Sequence, residues 1–269
     1  MGVIVIIGFA AAVLIGISLG LIGGGGSILT VPVMVYILKI DPVLATAYSL
    51  FVVGSTSLVG AGTYMKKGLV DYKTALVFAI PSFIAVFLTR KFLVPALPDP
   101  LFTLGEAIIT KNIGIMVFFA VIMLAASYSM IKGKKGGDAV EGEVKFNFPM
   151  IALEGLVVGV ITGIVGAGGG FLIIPALVLL AKLPMKLAVG TSLLIIAAKS
   201  LIGFTGDLGH HDIDWNLLLT VTGLAIVGIF LGDIISKKVD GNKLKVGFGW
   251  FVLVMGLYIL IQQLAFPLK

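Results

Sequence analysis

Lys199 stands inside the apolar run IIAAKSLIGF. Its chemistry is that of a fixed cation with three donors and no acceptor. Ser192, Lys199, Gly203 and Gly206 follow one another at spacings of seven, four and three, which puts them on one helical face. Ser49, Thr56, Gly60 and Thr63 repeat that small, polar face earlier in the chain, and Thr191 adds a hydroxyl beside Ser192. Two glycine clusters complete the set: Gly24, Gly25, Gly26 and Ser27, then Gly168, Gly169 and Gly170. Glycine permits positive φ and close approach of the backbone to a ligand. Helices starting at Gly26/Ser27 and at Gly169/Gly170 would aim unpaired N–H groups and a positive dipole end at whatever lies before them. A cation, hydroxyls and helix N-termini together suit an anion. Each feature also has a plainer reading. The glycines and small faces allow close helix packing, and Lys199 could snorkel toward Asp207 or pair with Asp233.

The fold that must position these groups is set by composition. The 269 residues are 59% hydrophobic and 12% charged, with a mean hydropathy of +1.19. A soluble domain carries roughly 25% charged residues. Apolar runs of about 20 residues recur along the whole length, each able to cross a hydrocarbon core of about 30 Å. The expected class is an all-α polytopic membrane protein. The net charge of +6 comes from lysines in short loops, so it carries no nucleic-acid signal. The chain has no cysteine, which excludes disulfides, thiol catalysis and Cys-ligated metals. The first twenty residues lack a basic n-region and read as a retained helix.

The glycine clusters belong to a duplication. GLIGGGGSILTVP, Gly20 to Pro32, is matched by GIVGAGGGFLIIP, Gly163 to Pro175, at a constant offset of 143 (166 − 23). The register continues through Ala45/Ala188, Ser49/Ser192, Ser57/Ser200, Gly60/Gly203 and Asp71/Asp214. Duplicated units with broken helices are a transporter architecture. Apolar segments fall at about 2–22, 27–38, 43–65, 73–94 and 112–131, then 149–166, 170–181, 185–206, 215–236 and 245–265. Twelve-residue segments reach only about 18 Å, so 27–38 and 170–181 read as short helices returning from glycine turns inside the membrane. The predicted organisation is a first repeat at 1–131, a cytoplasmic linker at 132–148 and a second repeat at 149–269.

Charge then orients the halves. Lys66, Lys67 and Lys73 flank the loop after segment 43–65, whereas the matching GHHDID, Gly209 to Asp214, has no Lys or Arg. Lys237, Lys238, Lys243 and Lys245 cluster after segment 215–236, against Arg90 and Lys91 in the first copy. Equivalent loops of opposite character predict inverted repeats, with the linker, Lys182 and Lys186 cytoplasmic and Lys39, Arg90, Lys91 and Lys111 exterior. Five crossings per half satisfy this, as do three crossings plus a re-entrant pair. Asp71 and Asp214 are placed as helix N-caps. Glu154 and Asp233 lie in apolar helices, as proton relays or as interfacial or paired carboxylates. His210 and His211 fit a solvated loop better than a metal site. No nucleophile–base set or phosphate-binding GK[ST] loop is present, so no enzyme chemistry is expected.

The duplicated glycine block, GGGGS from Gly23 and GAGGG from Gly166, each leading to a Pro and then to A-x-[AG]-x-S-L, resembles the sulfite exporter TauE/SafE family of membrane permeases. The second copy, AVGTSLL from Ala188 to Leu194, follows the pattern; the first reads ATAYSLF, with Ala47 and Tyr48 in place of Gly190 and Thr191. The resemblance implies transport of small sulfur-containing anions such as sulfite, thiosulfate or organosulfonates, and exchange of the pseudo-symmetric halves would give alternating access. An uncoupled anion channel, or a transporter of another small anion, is the competing reading. The implied setting is the inner cell membrane, crossed several times. Expected partners are the anion and the lipid bilayer, with a proton or sodium ion if transport is coupled. An oligomer is compatible, and no cofactor is expected.

Overall fold

The computed structural model describes residues 2–104, 107–132, 148–179, 181, 183–236 and 241–265. Expectations placed on most of the linker, Lys182, Lys237 and Lys238 lie outside them. Helix α1 (Gly2–Ile22) runs into a 3-10 segment (Gly23–Leu29), a short α2 (Thr30–Pro32) and a π turn (Val33–Ile37). Then come α3 (Pro42–Lys66), α4 (Tyr72–Leu88), a π turn with α5 (Val94–Ala96), and a hairpin of β1 (Phe102–Leu104) and β2 (Ala107–Ile109). Helix α6 (Lys111–Lys132) closes the first half, and α7 (Phe148–Val165), α8 (Gly170–Leu179), α9 (Met185–Thr205), α10 (Trp215–Ser236) and α11 (Gly241–Ala265) form the second.

Five helices are long and apolar enough to cross a membrane: Pro42–Lys66, Tyr72–Ala96, Lys111–Lys132, Met185–Thr205 and Trp215–Ile235. Shorter apolar helices, Gly26–Ile37 among them, accompany these. Leu14, Leu76, Ile84, Leu219, Val254 and Ile261 are each more than half exposed. An apolar surface of that extent is a lipid-facing one. The chain is an all-α polytopic membrane protein.

Glycines at the crossings reveal how the helices pair. Gly16 meets Ala225 and Gly228, and Gly20 meets Ile229 and Gly232, so α1 and α10 run parallel with their backbones in contact. Gly155, Gly159 and Gly163 meet Phe78, Ser82 and Thr89 in turn, so α7 runs parallel to α4. These two pairs are equivalent under the 143-residue offset: the first helix of each half packs on the fourth segment of the other. The central pair, α3 and α9, is antiparallel. Leu50 meets Gly203, Gly54 meets Leu201, and Gly60 meets Leu193. Antiparallel packing of two equivalent helices is what a two-fold axis perpendicular to them produces. Such an axis would pass between Thr56 and its repeat mate Lys199.

The capping expectations hold. The Asp71 carboxylate accepts from the Thr74 N–H at 2.8 Å and Asp214 from Leu217 at 3.0 Å. The glycine turns depart from the expected symmetry. In the second copy Gly166, Gly168 and Gly169 have φ of 72°, 64° and 72°, and α8 starts at Gly170 as expected. In the first copy Gly23 has a φ of 69° and the winding resumes at once as a 3-10 helix instead of starting at Gly26/Ser27. The Ser27 hydroxyl donates to the Gly24 carbonyl at 2.7 Å, an i to i−3 bond that favours this tighter winding. The β1–β2 hairpin, with Phe102 opposite Ile109, was not expected; its strands are too short to show alternation.

Candidate functional site

Lys199 is wholly buried at the middle of the α3–α9 crossing. Its Nζ donates to the Thr162 hydroxyl of α7 at 3.0 Å. A Cβ on Gly169 would stand only 2.8 Å from that Nζ, so the glycine turn makes room for the ammonium. Among the described residues the ion pairs are Lys67–Asp233 and Arg90–Asp207. Asp207 and Asp233 are thus engaged elsewhere, and Lys199 pairs with neither. If charged, an amine so desolvated, facing a hydroxyl and glycine backbone, would be short of negative charge.

The two glycine turns meet beside it. Gly24 and Gly170 touch backbone to backbone: a Cβ on Gly24 would stand 2.6 Å from the Gly170 Cα. A Cβ on Gly168 would stand 3.2 Å from the Ser27 Cβ and 3.3 Å from Ile196. Gly24, Ser27, Gly168, Gly169, Gly170 and Lys199 therefore form one cluster. Gly25 lies within the same 3-10 segment, and Gly26 packs on Ser18 and Leu19 of α1.

The hydroxyls are spread along the crossing. Ser49 lies next to Leu50, which meets Gly203, whereas Ser192 lies next to Leu193, which meets Gly60. From 192 to 203 is eleven residues of α9, about 16 Å of rise. A small anion cannot touch both serines at once, so as binding residues they would serve separate half-sites on either side of the Thr56/Lys199 level. The Ser192 hydroxyl donates to the Val189 carbonyl at 2.8 Å. Those of Ser49 and Thr56, like those of the repeat mates Ser57 and Ser200, are buried without a partner among the described residues. Buried hydroxyls normally find partners, and a polar substrate passing along α3 and α9 would supply one.

Thr191 is placed differently. Its hydroxyl accepts from the Asp71 N–H at 2.9 Å and so anchors the start of α4. The Tyr48 hydroxyl accepts from the Asp214 N–H at 2.6 Å and anchors α10. Tyr48 and Thr191 are repeat mates, as are Asp214 and Asp71. The departure of ATAYSLF from AVGTSLL thus preserves a hydrogen bond through a longer side chain. Tyr48→Phe leaves the Asp214 N–H without its acceptor, and we expect a stability loss of about 1–3 kcal/mol, read as a lower melting temperature in detergent. An unchanged melting temperature would mean the N–H finds another acceptor.

Sequence reading missed the most buried ion pair. Arg90, expected at the exterior end of segment 73–94, is wholly buried; its Nε donates to the Asp207 carboxylate at 2.7 Å, with Asp207 only 3% exposed. Its Nη1 donates to the Thr46 hydroxyl at 2.8 Å and to the Gly163 carbonyl at 3.2 Å. Burial pushes the Asp207 carboxyl above the usual carboxylate range, against the opposing pull of Arg90. The signal was in the repeat: Phe87-Leu88-Thr89-Arg90 aligns with Phe230-Leu231-Gly232-Asp233. Asp233 makes the other ion pair, with Lys67 at 3.3 Å, in a far more exposed setting.

The model of the family described as sulfite exporter TauE/SafE matches residues 8–259. A probable membrane transporter protein of Xylella fastidiosa (strain 9a5c) is 26% identical over 257 residues, covering 94% of this chain and 93% of its own. The probable membrane transporter protein YunE of Bacillus subtilis is 27% identical over 263 residues, covering 86% and 90%. The probable membrane transporter protein MJ0441 of Methanocaldococcus jannaschii is 29% identical over 126 residues, covering 45% and 47%. No solved structure matches.

Proposed function

The chain belongs to the sulfite exporter TauE/SafE family of membrane transporters, and from that premise we propose that it moves a small sulfur-containing oxyanion across the cell membrane by alternating access. The observation that carries this reading is the Lys199 ammonium: buried, facing Thr162 and the Gly169 turn, with no carboxylate partner among the described residues. An anion arriving there meets a fixed charge, glycine backbone and, along α3 and α9, unpartnered hydroxyls. The antiparallel α3–α9 crossing and the exchanged α1–α10 and α7–α4 pairs support inverted repeats. With helices across the bilayer, a two-fold perpendicular to them lies in the membrane plane. Exchange of the two half-sites would then expose the anion alternately.

The test is flux. Purified protein in liposomes should take up radiolabelled thiosulfate, with sulfite and organosulfonates competing and chloride not. Internal unlabelled thiosulfate should accelerate uptake, since a carrier exchanges substrate through one site. Flux without that acceleration would favour the uncoupled channel, and no flux of any of these anions would remove the reading.

Topology can be tested separately, because the chain has no cysteine. Lys66→Cys and Asp212→Cys introduce thiols at exposed positions. We expect an impermeant maleimide added outside cells to label the second and spare the first. Labelling of both from one side would sink the inverted arrangement.

A further inference from the structure

We propose that Arg90 forms a second oxyanion site at the exterior mouth, which the Asp207 carboxylate occupies in this conformation and which substrate takes when Asp207 leaves. The proposal rests on the reading of the chain as an anion transporter, but it concerns other residues and can fail alone.

The first observation is incomplete use of the guanidinium. Asp207 holds Nε, and Thr46 and Gly163 share Nη1. Nη2 is buried with no partner among the described residues. A guanidinium presents a fixed fork that suits a two-oxygen acceptor, yet here one tooth is unused. An oxyanion in place of the carboxylate could span Nε and Nη2 together. The second observation is where the fork leads. Gly163 opens the second glycine block, and Gly166 packs against Thr46, so Arg90 touches the turn that continues to Gly169 and Lys199. The third is the repeat. Position 90 holds an arginine at the mouth and its mate, position 233, an aspartate in a pair that is 39% and 22% exposed. A buried guanidinium at one mouth only gives the anion path a polarity that the duplicated scaffold lacks.

The charged groups around the pair are His210 and His211 on the same loop, Asp41 ahead of α3, and Lys111 at the head of α6. The exchange consumes nothing but a proton. When Asp207 takes one from exterior water its carboxylate becomes neutral, Arg90 keeps its charge, and an anion restores the balance. Because burial raises the Asp207 pKa, the site opens to anions as pH falls through a value above the usual carboxylate range.

The experiment is equilibrium binding of radiolabelled thiosulfate to the full-length protein in detergent. Thiosulfate stays a dianion through the mildly acidic range, so its own charge does not titrate there. Asp207→Asn should tighten binding at neutral pH by about tenfold and flatten the rise in affinity that the unsubstituted protein shows as pH falls. His210→Gln and His211→Gln should keep that rise, which separates Asp207 from the imidazoles. Lys199→Gln/Asp207→Asn should still bind one thiosulfate per chain, and adding Arg90→Gln should abolish it. No binding by the Lys199→Gln/Asp207→Asn protein would overturn the proposal. So would an unsubstituted protein with a flat pH profile, a readout that stands even if the Arg90→Gln chain fails to fold. If Lys199→Gln alone changes nothing while the Arg90 results hold, the central site is wrong and this one survives.

Discussion

Lys199→Gln is expected to weaken apparent thiosulfate affinity in proteoliposomes by about 10- to 100-fold, or about 1.4–2.8 kcal/mol, with little loss of folded protein. Among the described residues the Lys199 amine has the Thr162 hydroxyl, at 3.0 Å, as its hydrogen-bond partner, and no acid. Replacing it therefore orphans no carboxylate there and removes an amine whose charged form costs the empty protein stability. If the lysine were structural, the opposite pattern would follow: lower yield with unchanged affinity. Lys199→Arg keeps the charge but must fit a larger head beside Gly169, where a single added carbon would already stand 2.8 Å from Nζ. It should retain part of the affinity and less of the transport rate. Unchanged affinity in Lys199→Gln would mean that backbone N–H groups and hydroxyls hold the anion alone.

Gly170→Ala is expected to lower both melting temperature and flux, with a cost at or above the 1–3 kcal/mol typical of overpacking, about 3 kcal/mol. A Cβ there would overlap Cα, carbonyl carbon and oxygen of Gly24, all backbone, so no side-chain rotation relieves it. The contact joins the two glycine turns, hence the two halves. Gly168→Ala differs: its φ of 64° strains any L side chain, and the nearest atom is a Val53 methyl that can yield. It should reduce flux more than stability. Gly62→Ala and Gly223→Ala, with open space at the Cβ position, serve as neutral controls. A Gly170→Ala protein that melts and transports like the parent would show that the turns separate readily and that their contact is incidental.

Much of the fold was legible because membrane physics simplifies the code. Apolar runs of about 20 residues gave helix positions to within a few residues, and the 143-residue offset in glycines, serines and aspartates gave the duplication. Lys199 was legible as an anomaly, since a lone charge in an apolar run needs a reason. Its partner was not. The sequence offered Asp207 or Asp233, and the structure gives those to Arg90 and Lys67. Distances across the bundle depend on which helix lies opposite, and hydropathy does not carry that.

The sequence by itself thus determined the class, the spans, the caps at Asp71 and Asp214, and the existence of two equivalent halves, because each rests on composition or on spacing within one segment. Tertiary structure decided the rest. It exchanged α1 and α7 between the halves and crossed α3 over α9 in antiparallel fashion at Thr56 and Lys199. It also put Ser49 and Ser192 on opposite sides of that crossing, and let Tyr48 reach the same kind of N–H as Thr191. It took Arg90 from an expected exterior helix end into the protein interior, where Asp207 and the second glycine block enclose it. The physical reason is the same in each case. Burial of a polar group is settled by what packs on it from distant segments, and a residue's own neighbours in the chain say nothing of that.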